Sequence, residues 1–266
     1  MSTPPSSPGD MTRLFSLEGK VAVVTGSSRR LGREIARGML SFGARVYLTA
    51  RDASTLDEVV AELSPLGETS ALPADLSTME GVDCLVRKIA EREPHLDVLV
   101  NNAGAVWNAP LESFPEHGWD KVMQVNLRAP FFLTQRMLPV LRAGAQRAAP
   151  ARIINVASTD ALHVPITDTY SYTAAKAGLV MMTRMLAARL GKDQITANVI
   201  APGAFPTRMT EKAFERLESA YLEKVPLGRF GTSADIAGAA VVLASAAGAY
   251  VNGAVLPVDG GWVGAL

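Results

Sequence analysis

The feature that most constrains this chain is a regular alternation of short apolar runs with helix-forming stretches, which continues from residue 20 to residue 258. Each apolar run is continuous rather than interrupted at every second position, as expected of strands buried on both faces of a parallel sheet. No linker-like composition breaks the alternation. The sequence therefore predicts a single α/β domain, in which helices cover both faces of a parallel sheet.

Strands and helices alternate along the predicted sheet. The predicted strands cover 20–25, 45–50, 69–74, 96–101, 152–157, 196–200 and 254–258. The predicted helices cover 31–42, 55–63, 81–93, 119–141, 172–190 and, after the capping pattern Thr232-x-x-Asp235, a stretch that continues to about residue 247. Pro130 predicts a kink in the fourth helix. Sites on such sheets form at the carboxyl ends of the strands, so we expect the functional residues there.

Composition excludes several classes of function. Lys and Arg number 26, as do Asp and Glu, and a formal net charge of zero argues against nucleic-acid and membrane-surface partners. The single Cys84 excludes an intramolecular disulfide, and three scattered histidines predict no metal site. The run 236–251 is shorter than the ~18 residues of a membrane span. We therefore expect a protein of a reducing, cytoplasmic compartment.

The chain begins with a polar stretch. Residues 1–13 are rich in Pro and Ser and lack the apolar centre of a signal peptide. We expect a flexible tail there, followed by the folded domain over 14–266.

Tyr172 and Lys176 are the strongest candidates for chemistry. On a helix they lie one turn apart on the same face. An ammonium group there favours the phenolate form of the tyrosine, which makes Tyr172 a better proton donor and acceptor near neutral pH. Ser158, at the end of the fifth strand, is placed to hydrogen-bond the oxygen that Tyr172 protonates. This pattern predicts a proton-transfer site for a carbonyl or alcohol oxygen.

The first strand-to-helix turn predicts a nucleotide site. Gly26 and Gly32 bracket it, and glycine lets backbone amides approach a pyrophosphate, although a tight turn alone also explains glycine. Between them lie Ser28, Arg29, Arg30 and Leu31. The second strand ends at Arg51, where an NAD site usually carries an acid, so the arginines favour the 2′-phosphate of NADP(H) over solvated loop positions. Asp75 and Leu76 are predicted to face the adenine, and Asn102, Ala103 and Gly104 to approach the ribose.

Four residues are weaker candidates for substrate contact. Tyr170 lacks a lysine four residues on, so it is interpreted as pocket lining. His163 falls between the serine and the tyrosine, although a lone loop histidine is more often incidental. Trp107 follows the Asn-Asn-Ala-Gly segment closely enough to line the cleft, and packing is the alternative. Met209 lies in the irregular stretch after the sixth strand.

Taken together, these motifs resemble the short-chain dehydrogenase/reductase family over about residues 17–262. The motifs are TGSSRRLG, Asp75, NNAG, Asn126, Ser158, Tyr172-x-x-x-Lys176 and Pro202-Gly203. The resemblance implies a seven-stranded Rossmann sheet and hydride transfer between a nicotinamide cofactor and a ketone or secondary alcohol. It implies Tyr172 as general acid/base, Lys176 on the nicotinamide ribose, Ser158 on the substrate oxygen and a water held by Asn126. Nicotinamide contacts are implied for Pro202, Gly203, Phe205 and Thr207, and a homotetramer for the assembly.

One position departs from the family pattern. Arg30 stands where the family has glycine, a variant shared by pteridine reductases, which use NADPH. The arginine is therefore compatible with cofactor binding and is a candidate phosphate contact. Pteridine reductases carry an acid where this chain has Ser158, so the resemblance does not extend to their substrate.

The substrate is predicted from further likenesses. The chain is similar to 3-ketoacyl reductases, including the rhamnolipid-pathway type, and also to gluconate and polyol dehydrogenases. We expect a segment at about 204–230 to cover the nicotinamide, and its apolar residues favour a 3-oxoacyl thioester, unless they only pack the lid on the core. These residues are Phe205, Met209, Phe214, Leu217, Tyr221 and Leu222, with Trp107, Leu111 and Phe114 as the opposite wall. A free coenzyme A ester and a carrier-bound one fit equally. The alternatives are a polyol dehydrogenase and a catalytically silent nucleotide-binding regulator.

Overall fold

Seven parallel strands form the centre of the molecule in this computed structural model, which describes residues 11, 13–205 and 222–264. The strands are β1 Val21–Thr25, β2 Arg45–Thr49, β3 Thr69–Ala71, β4 Val98–Asn101, β5 Ala151–Val156, β6 Ile195–Pro202 and β7 Val255–Val258. Their order across the sheet is β3-β2-β1-β4-β5-β6-β7. The order reverses between β1 and β4, which creates the crevice where such sheets bind ligands. The prediction of a parallel Rossmann sheet is confirmed.

Helices cover both faces of the sheet. They are α1 Arg30–Ser41, α2 Ala53–Leu63, α3 Met79–Ala90, α4 Glu116–Met123, α5 Ala129–Gly144, α6 Tyr170–Leu190 and α7 Ser233–Ala244. The buried side chains of α1, α2 and α7 form one apolar core with the sheet. Those of α3 and α5, with the end of α6, form the core on the opposite face. Two buried faces explain why the strands are apolar along their whole length.

The prediction that 119–141 is helical is confirmed, but the irregularity predicted at Pro130 is more than a kink. The stretch is two helices joined by a π-helical turn at Gln124–Arg128. The irregular turn lies ahead of Pro130, which sits in the first turn of α5. Proline is tolerated there because the first helical amides have no intrahelical partner. The second proline, Pro139, lies inside α5 without ending it.

Other element boundaries shift by a few residues. β3 ends at Ala71 rather than residue 74, and β6 runs on to Pro202. α6 begins at Tyr170, two residues before Tyr172. α7 ends at Ala244, and its predicted capping pattern is present, because the Thr232 amide donates to the Asp235 carboxylate at 2.7 Å.

Some predictions fall outside the described residues. These are most of the tail at 1–13, residues 265 and 266, and the part of the lid from 206 to 221, including Thr207, Met209, Phe214, Leu217 and Tyr221. Within the described part of the chain, no helix is both long and apolar enough to cross a membrane. Nor does any group of three or more His, Cys, Asp or Glu side chains in that part form a metal-binding cluster.

Candidate active site

The turn between β1 and α1 packs directly against the end of β4. Gly26 has a positive φ of 64°, and a Cβ added there would lie 2.7 Å from the Cα of Ala103. A Cβ on Gly32 would lie 2.4 Å from Nδ2 of Asn102. Both glycines are therefore required by this close approach of backbone to backbone. The sequence analysis had favoured the approach of a pyrophosphate, with a tight turn as the alternative.

Thr25, at the end of β1, holds the Asn-Asn-Ala-Gly segment in place. Its Oγ1 accepts hydrogen bonds from the amides of Asn102 and Ala103, both at 2.9 Å. Asn102 Nδ2 donates in return to the Thr25 carbonyl at 2.8 Å. Sequence reasoning missed Thr25, although a hydroxyl at the carboxyl end of a buried strand was a usable signal.

The charges of Arg29 and Arg51 act on nearby carboxylates, those of Asp52 and Asp75 respectively. Asp52 caps α2: its Oδ1 accepts from the Thr55 amide and the Ser54 hydroxyl, both at 2.8 Å. These bonds, with a smaller contribution from the charge of Arg29, lower the pKa of Asp52. The acid that follows Arg51 in the chain is therefore used as a helix cap.

Asp75 is held by its own turn. Burial alone would raise its pKa, but hydrogen bonds from the hydroxyl and amide of Ser77, at 2.7 and 3.0 Å, outweigh burial and lower it, with help from the charge of Arg51. Leu76, by contrast, is buried in the core with 7% exposure. Only the backbone of Leu76 is therefore available to a nucleotide.

Arg30 occupies a backbone conformation that favours glycine. Its φ is 54°, and it is the first residue of α1. Arg29, the residue before the helix, is extended and its side chain makes no capping hydrogen bond. The Arg29 side chain therefore does not occupy the first amides of α1, and these amides can bind an anion. The exposed side chains of both arginines flank this position, whereas Leu31 packs on the core and Ser28 is partly buried.

Lys176 is a buried ammonium beneath the ring of Tyr172. Its side chain extends from α6 into the sheet, where Nζ donates to the Val156 carbonyl at 2.7 Å. Nζ lies 5.7 Å from the centre of the Tyr172 ring. The lysine is 3% exposed, and burial lowers its pKa to about 8. One N–H is used by Val156, so two others remain for a ligand.

Asn126 lies in the π-helical turn and closes the other side of the site. Its Nδ2 donates to the Ala105 carbonyl at 2.6 Å, and its Oδ1 accepts from the Ala105 amide at 3.1 Å. Gly104 fits between, since a Cβ there would lie 2.7 Å from Oδ1 of Asn126 and 3.7 Å from Nζ of Lys176. The structure thus brings Asn126, Gly104 and Lys176 together.

Ser158 precedes the short helical turn Thr159–Ala161 after β5. Its Oγ accepts a hydrogen bond from the Asp160 amide at 3.1 Å. The hydroxyl therefore accepts one hydrogen bond and keeps its own proton for donation to a ligand.

A buried polar ladder supports these catalytic candidates and was not found from sequence. Asn101 Nδ2 donates to Asn155 Oδ1 at 2.8 Å and to Thr134 at 3.2 Å, and Asn155 Nδ2 donates to Thr183 at 2.8 Å. Asn101 and Asn155 are direct neighbours in the parallel register of β4 and β5. The two asparagines inside apolar strands could have predicted it, because buried side-chain amides need hydrogen-bond partners. The ladder ties β4, β5, α5 and α6 together beneath the site.

The end of β6 leads away from the site along the C-terminal segment. Pro202 is the last residue of β6. A Cβ on Gly203 would lie 2.8 Å from Cβ of Asp259, so this exit packs closely on the segment after β7. Phe205 packs against Gly231 and the core. Among the apolar residues predicted for the lid, Phe205 therefore faces the core.

The weaker substrate candidates are spread over different places. Trp107 packs on α4, with its ring 4.9 Å from that of His117 and against Gly118. Tyr170 donates its hydroxyl to Asp168 at 3.0 Å, a bond that raises the pKa of Tyr170. Its ring helps to line a pocket of about 350 Å³ with Leu111, Phe114 and Trp119. Among the residues lining that pocket, none belongs to the Ser158–Tyr172–Lys176 group. His163 stacks on Trp262.

The site therefore combines a tyrosine over a buried cation, a serine donor and a backbone cradle. Such a set can protonate a carbonyl oxygen, or deprotonate an alcohol, beside a nucleotide bound at the β1–α1 turn. Tyr170 is less suited to this task because its hydroxyl is already bonded to a carboxylate.

Comparisons with known proteins agree with this geometry. A family model described as enoyl-(acyl carrier protein) reductase matches residues 26–263. The rhamnolipids biosynthesis 3-oxoacyl-(acyl-carrier-protein) reductase of Pseudomonas aeruginosa is 44% identical, over 93% of this chain and 98% of that protein. The 2-dehydro-3-deoxy-D-gluconate 5-dehydrogenase of Escherichia coli is 37% identical, over 94% of this chain and 97% of that protein.

A solved structure shows the same architecture. The Pseudomonas aeruginosa RhlG/NADP active-site complex has a TM-score of 0.90 and 43% sequence identity, and the match covers 94% of this chain and 98% of that one. Together, the family model and these relatives establish that the chain belongs to the short-chain dehydrogenase/reductase family of oxidoreductases.

Proposed function

We propose that this protein is an NADP(H)-dependent oxidoreductase that interconverts a ketone and a secondary alcohol. The observation that carries the proposal is the buried ammonium of Lys176 beneath the Tyr172 ring. A cation is costly to bury unless a function or a partner requires it. Here it stabilises the phenolate that remains when Tyr172 gives up its proton. A catalytically silent regulator has no need of this arrangement.

The residues divide the proton-transfer step among them. In the reducing direction, Tyr172 gives its proton to the ketone oxygen while Ser158 donates a hydrogen bond to the same oxygen. Bound NADPH supplies the hydride that the carbonyl carbon receives. Lys176 stabilises the phenolate and holds the ribose hydroxyls with its remaining N–H groups.

Asn126 completes the proton path through its backbone. Its side-chain amide is held by two hydrogen bonds with Ala105, and its main-chain carbonyl offers a further acceptor for a water. In a regular helix that carbonyl would accept from the amide of residue 130, and Pro130 has no amide hydrogen. The water then returns a proton to Tyr172 after each turnover.

The residues present fit NADP(H). The tight packing of Gly26 and Gly32 forms a backbone cradle, and the first amides of α1 are open to a phosphate. Arg29 and Arg51 are the proposed contacts of the 2′-phosphate, and Asp52, the acid that could have favoured NAD, caps α2. Asp75, Asn102, Ala103, Gly104, Pro202 and Gly203 complete the proposed cofactor contacts. The RhlG structure, a complex with NADP, supports this assignment.

We propose a 3-oxoacyl thioester as substrate. The relative at 44% identity is a 3-oxoacyl-(acyl-carrier-protein) reductase, and the family model is also named for an acyl-carrier reaction. The second candidate is a sugar acid or polyol, which the 37% identical gluconate-type dehydrogenase supports. The described lid residue Phe205 packs on the core, so the apolar stripe of the lid supports the first candidate less than its sequence pattern did.

Assembly and location are also proposals. A homotetramer is supported by exposed apolar side chains on two separate faces of the molecule, with Met181 and Met185 on one and Val242 and Tyr250 on the other. A reducing compartment such as the cytoplasm is supported by the single Cys84, which is free.

The test is a panel of steady-state assays on the purified protein. NADPH-dependent reduction of acetoacetyl-coenzyme A and longer 3-oxoacyl thioesters is measured beside NADP-linked oxidation of gluconate and sorbitol. We expect thioester reduction, with NADPH preferred over NADH and the preference lost in Arg51→Asp. Efficient polyol oxidation without thioester reduction would replace the first candidate by the second.

A further inference from the structure

Three side chains meet beside Ser158 that the proposed reaction does not use. Asp160 and His163 belong to the turn that follows Ser158, and Trp262 comes from the segment after β7. The imidazole of His163 stacks on the Trp262 indole, with ring centres 5.1 Å apart and planes at 27°. His163 Nδ1 lies 2.8 Å from the Val164 carbonyl, and Nε2 lies 3.8 Å from Oδ1 of Asp160.

These contacts fix where the imidazole protons lie. A carbonyl oxygen only accepts hydrogen bonds, so Nδ1 of His163 carries a hydrogen in its contact with Val164. In the neutral ring Nε2 is therefore a bare acceptor. It is shielded from solvent, and the group that faces it is the carboxyl of Asp160, another acceptor. The two groups attract only when they hold one proton between them, either as an ion pair or as a neutral acid against a neutral ring.

The surroundings contain few competing charges. The side chains of Asp160 and His163 are only 20% and 22% exposed. The turn packs on apolar side chains of α6 and β6, namely Val180, Val199 and Ala201. Asp259, the ionisable group beside Trp262, accepts from the amides of Gly261 and Val263. The ionisable groups on the first turns of α6 are Tyr170, Tyr172 and Lys176; Tyr170 is bonded to Asp168 and the lysine to Val156. Burial raises the pKa of Asp160, which fits a carboxyl that retains or shares a proton.

The pair is connected to the catalytic serine by one residue. The amide of Asp160 donates to Ser158 Oγ at 3.1 Å, so the position of Asp160 sets the orientation of the serine hydroxyl. We propose that Asp160 and His163 are a positioning pair that carries one proton in total, and that the attraction between the two groups in this state fixes the turn carrying Ser158. The inference rests on the proposed role of Ser158. As pH rises and the proton leaves, the two acceptors repel, the turn loosens and reduction slows.

Substitutions can replace the shared proton by a permanent donor. In His163→Gln the amide N–H faces Asp160, and in Asp160→Asn the amide N–H faces Nε2 of His163, at every pH. His163→Phe keeps a ring on Trp262 but offers no donor. The matched control is His95→Gln: His95 also faces a carboxylate, Asp97, at 3.4 Å, but at the opposite, amino end of the sheet.

The experiment combines two measurements over a range of pH. NMR follows the three histidine ring signals, assigned with His163→Gln and His95→Gln. Steady-state assays follow kcat for NADPH-dependent reduction. We expect a fall in the wild-type kcat that coincides with the His163 titration and is absent from His163→Gln and Asp160→Asn, which keep the separate fall caused by Lys176. His163→Phe should lower kcat on the order of tenfold at every pH, as misplacement of a catalytic group does, while His95→Gln keeps the wild-type profile.

The outcomes separate this inference from the proposed function. If His163 titrates but kcat does not follow it, or if His163→Gln behaves like His163→Phe, the positioning role is wrong. If the NMR titration of His163 is the same in the wild type and in Asp160→Asn, the two groups do not share a proton. Failure of the wild type to reduce any ketone contradicts the proposed function, while the NMR titration still reports whether the pair exists.

Discussion

At the scale of single residues, Lys176 is the group whose environment departs most from water. Burial lowers its pKa to about 8 from an ordinary 10.5. Between these values the unfolded chain holds a proton that the folded protein has released, so this lysine makes stability rise with pH over that window. Below about pH 8 the ammonium form is present in the folded protein, and the site keeps a cation at a cost in stability.

The pH profile of activity follows from the same lysine. We expect kcat for ketone reduction to fall as pH rises through about 8, because the neutral amine no longer stabilises the Tyr172 phenolate. Lys176→Met should have a low kcat at every pH and should not show this decrease above about pH 8. Steady-state kinetics at saturating NADPH measures kcat against pH for the wild type and the variant. If Lys176→Met shows the same decrease, another group causes it.

Arg30 gives a prediction about stability. A non-glycine residue at a φ of 54° is strained, so Arg30→Gly should stabilise the protein without cofactor by about 1 kcal/mol. Arg29→Gly is the matched control, since Arg29 is extended and its substitution relieves no strain. Urea unfolding measures the midpoints. Equal shifts for the two variants would contradict the account.

The same substitution has a second expected effect. Arg30→Gly should weaken NADPH binding, because it removes a guanidinium from the phosphate turn. Isothermal titration measures this loss separately from the gain in stability. Unchanged affinity would mean that Arg30 makes no phosphate contact.

Residue spacing predicted some of this site and could not predict the rest. Tyr172 and Lys176 were identifiable because helical spacing fixes their relation. The use of Asp52 as a cap, and of the Asn126 side chain by Ala105, depends on loop geometry that spacing does not encode. Trp107 was predicted near the cleft from proximity along the chain, but its ring turns to α4.

At the scale of elements, the π-helical turn between α4 and α5 is the feature with most consequence. It places Asn126 against Ala105, and Pro130 then lacks the amide that would occupy the Asn126 carbonyl. Continuous apolar runs predicted all seven strands, because burial on both faces leaves a clear pattern. A π turn leaves no such pattern, since it changes hydrogen bonding and not hydrophobicity.

Pro130→Ala tests the role of this turn. Alanine supplies an amide hydrogen to the Asn126 carbonyl, which then no longer holds the water. We expect kcat to fall roughly tenfold, less than the loss of a whole general acid–base step would cause. Stability should not fall, because alanine favours helix. Pro139→Ala, in the same helix but beyond the site, is the control and should keep kcat. Unchanged kcat in Pro130→Ala would remove the water-holding role from Asn126.

At the scale of the whole molecule, two exposed surfaces stand out among the described residues. The first, the α5–α6 face, includes Phe131, Met181 and Met185, which are 39%, 56% and 61% exposed. The second, the α7–β7 face, includes Val242, the fully exposed Tyr250 and the end strand of the sheet. Exposed apolar groups and an unpaired edge strand mark association surfaces.

Two independent faces predict a tetramer that breaks down in steps. We expect the wild type to sediment as a tetramer, and both Met181→Glu/Met185→Glu and Tyr250→Glu to yield dimers, because each change places charge in one interface only. Phe42→Glu, an exposed position on neither face, should leave the tetramer intact. Sedimentation velocity at micromolar concentration decides, and a monomeric wild type would contradict the prediction.

The most direct test of the account concerns the two tyrosines at the start of α6. Turnover of an acyl thioester with NADPH is measured for the wild type, Tyr172→Phe and Tyr170→Phe, together with the Kd for NADPH. The account predicts that Tyr172→Phe loses on the order of a hundredfold or more in kcat, while Kd is unchanged and Tyr170→Phe stays active. Turnover that survives in Tyr172→Phe but disappears in Tyr170→Phe would contradict it.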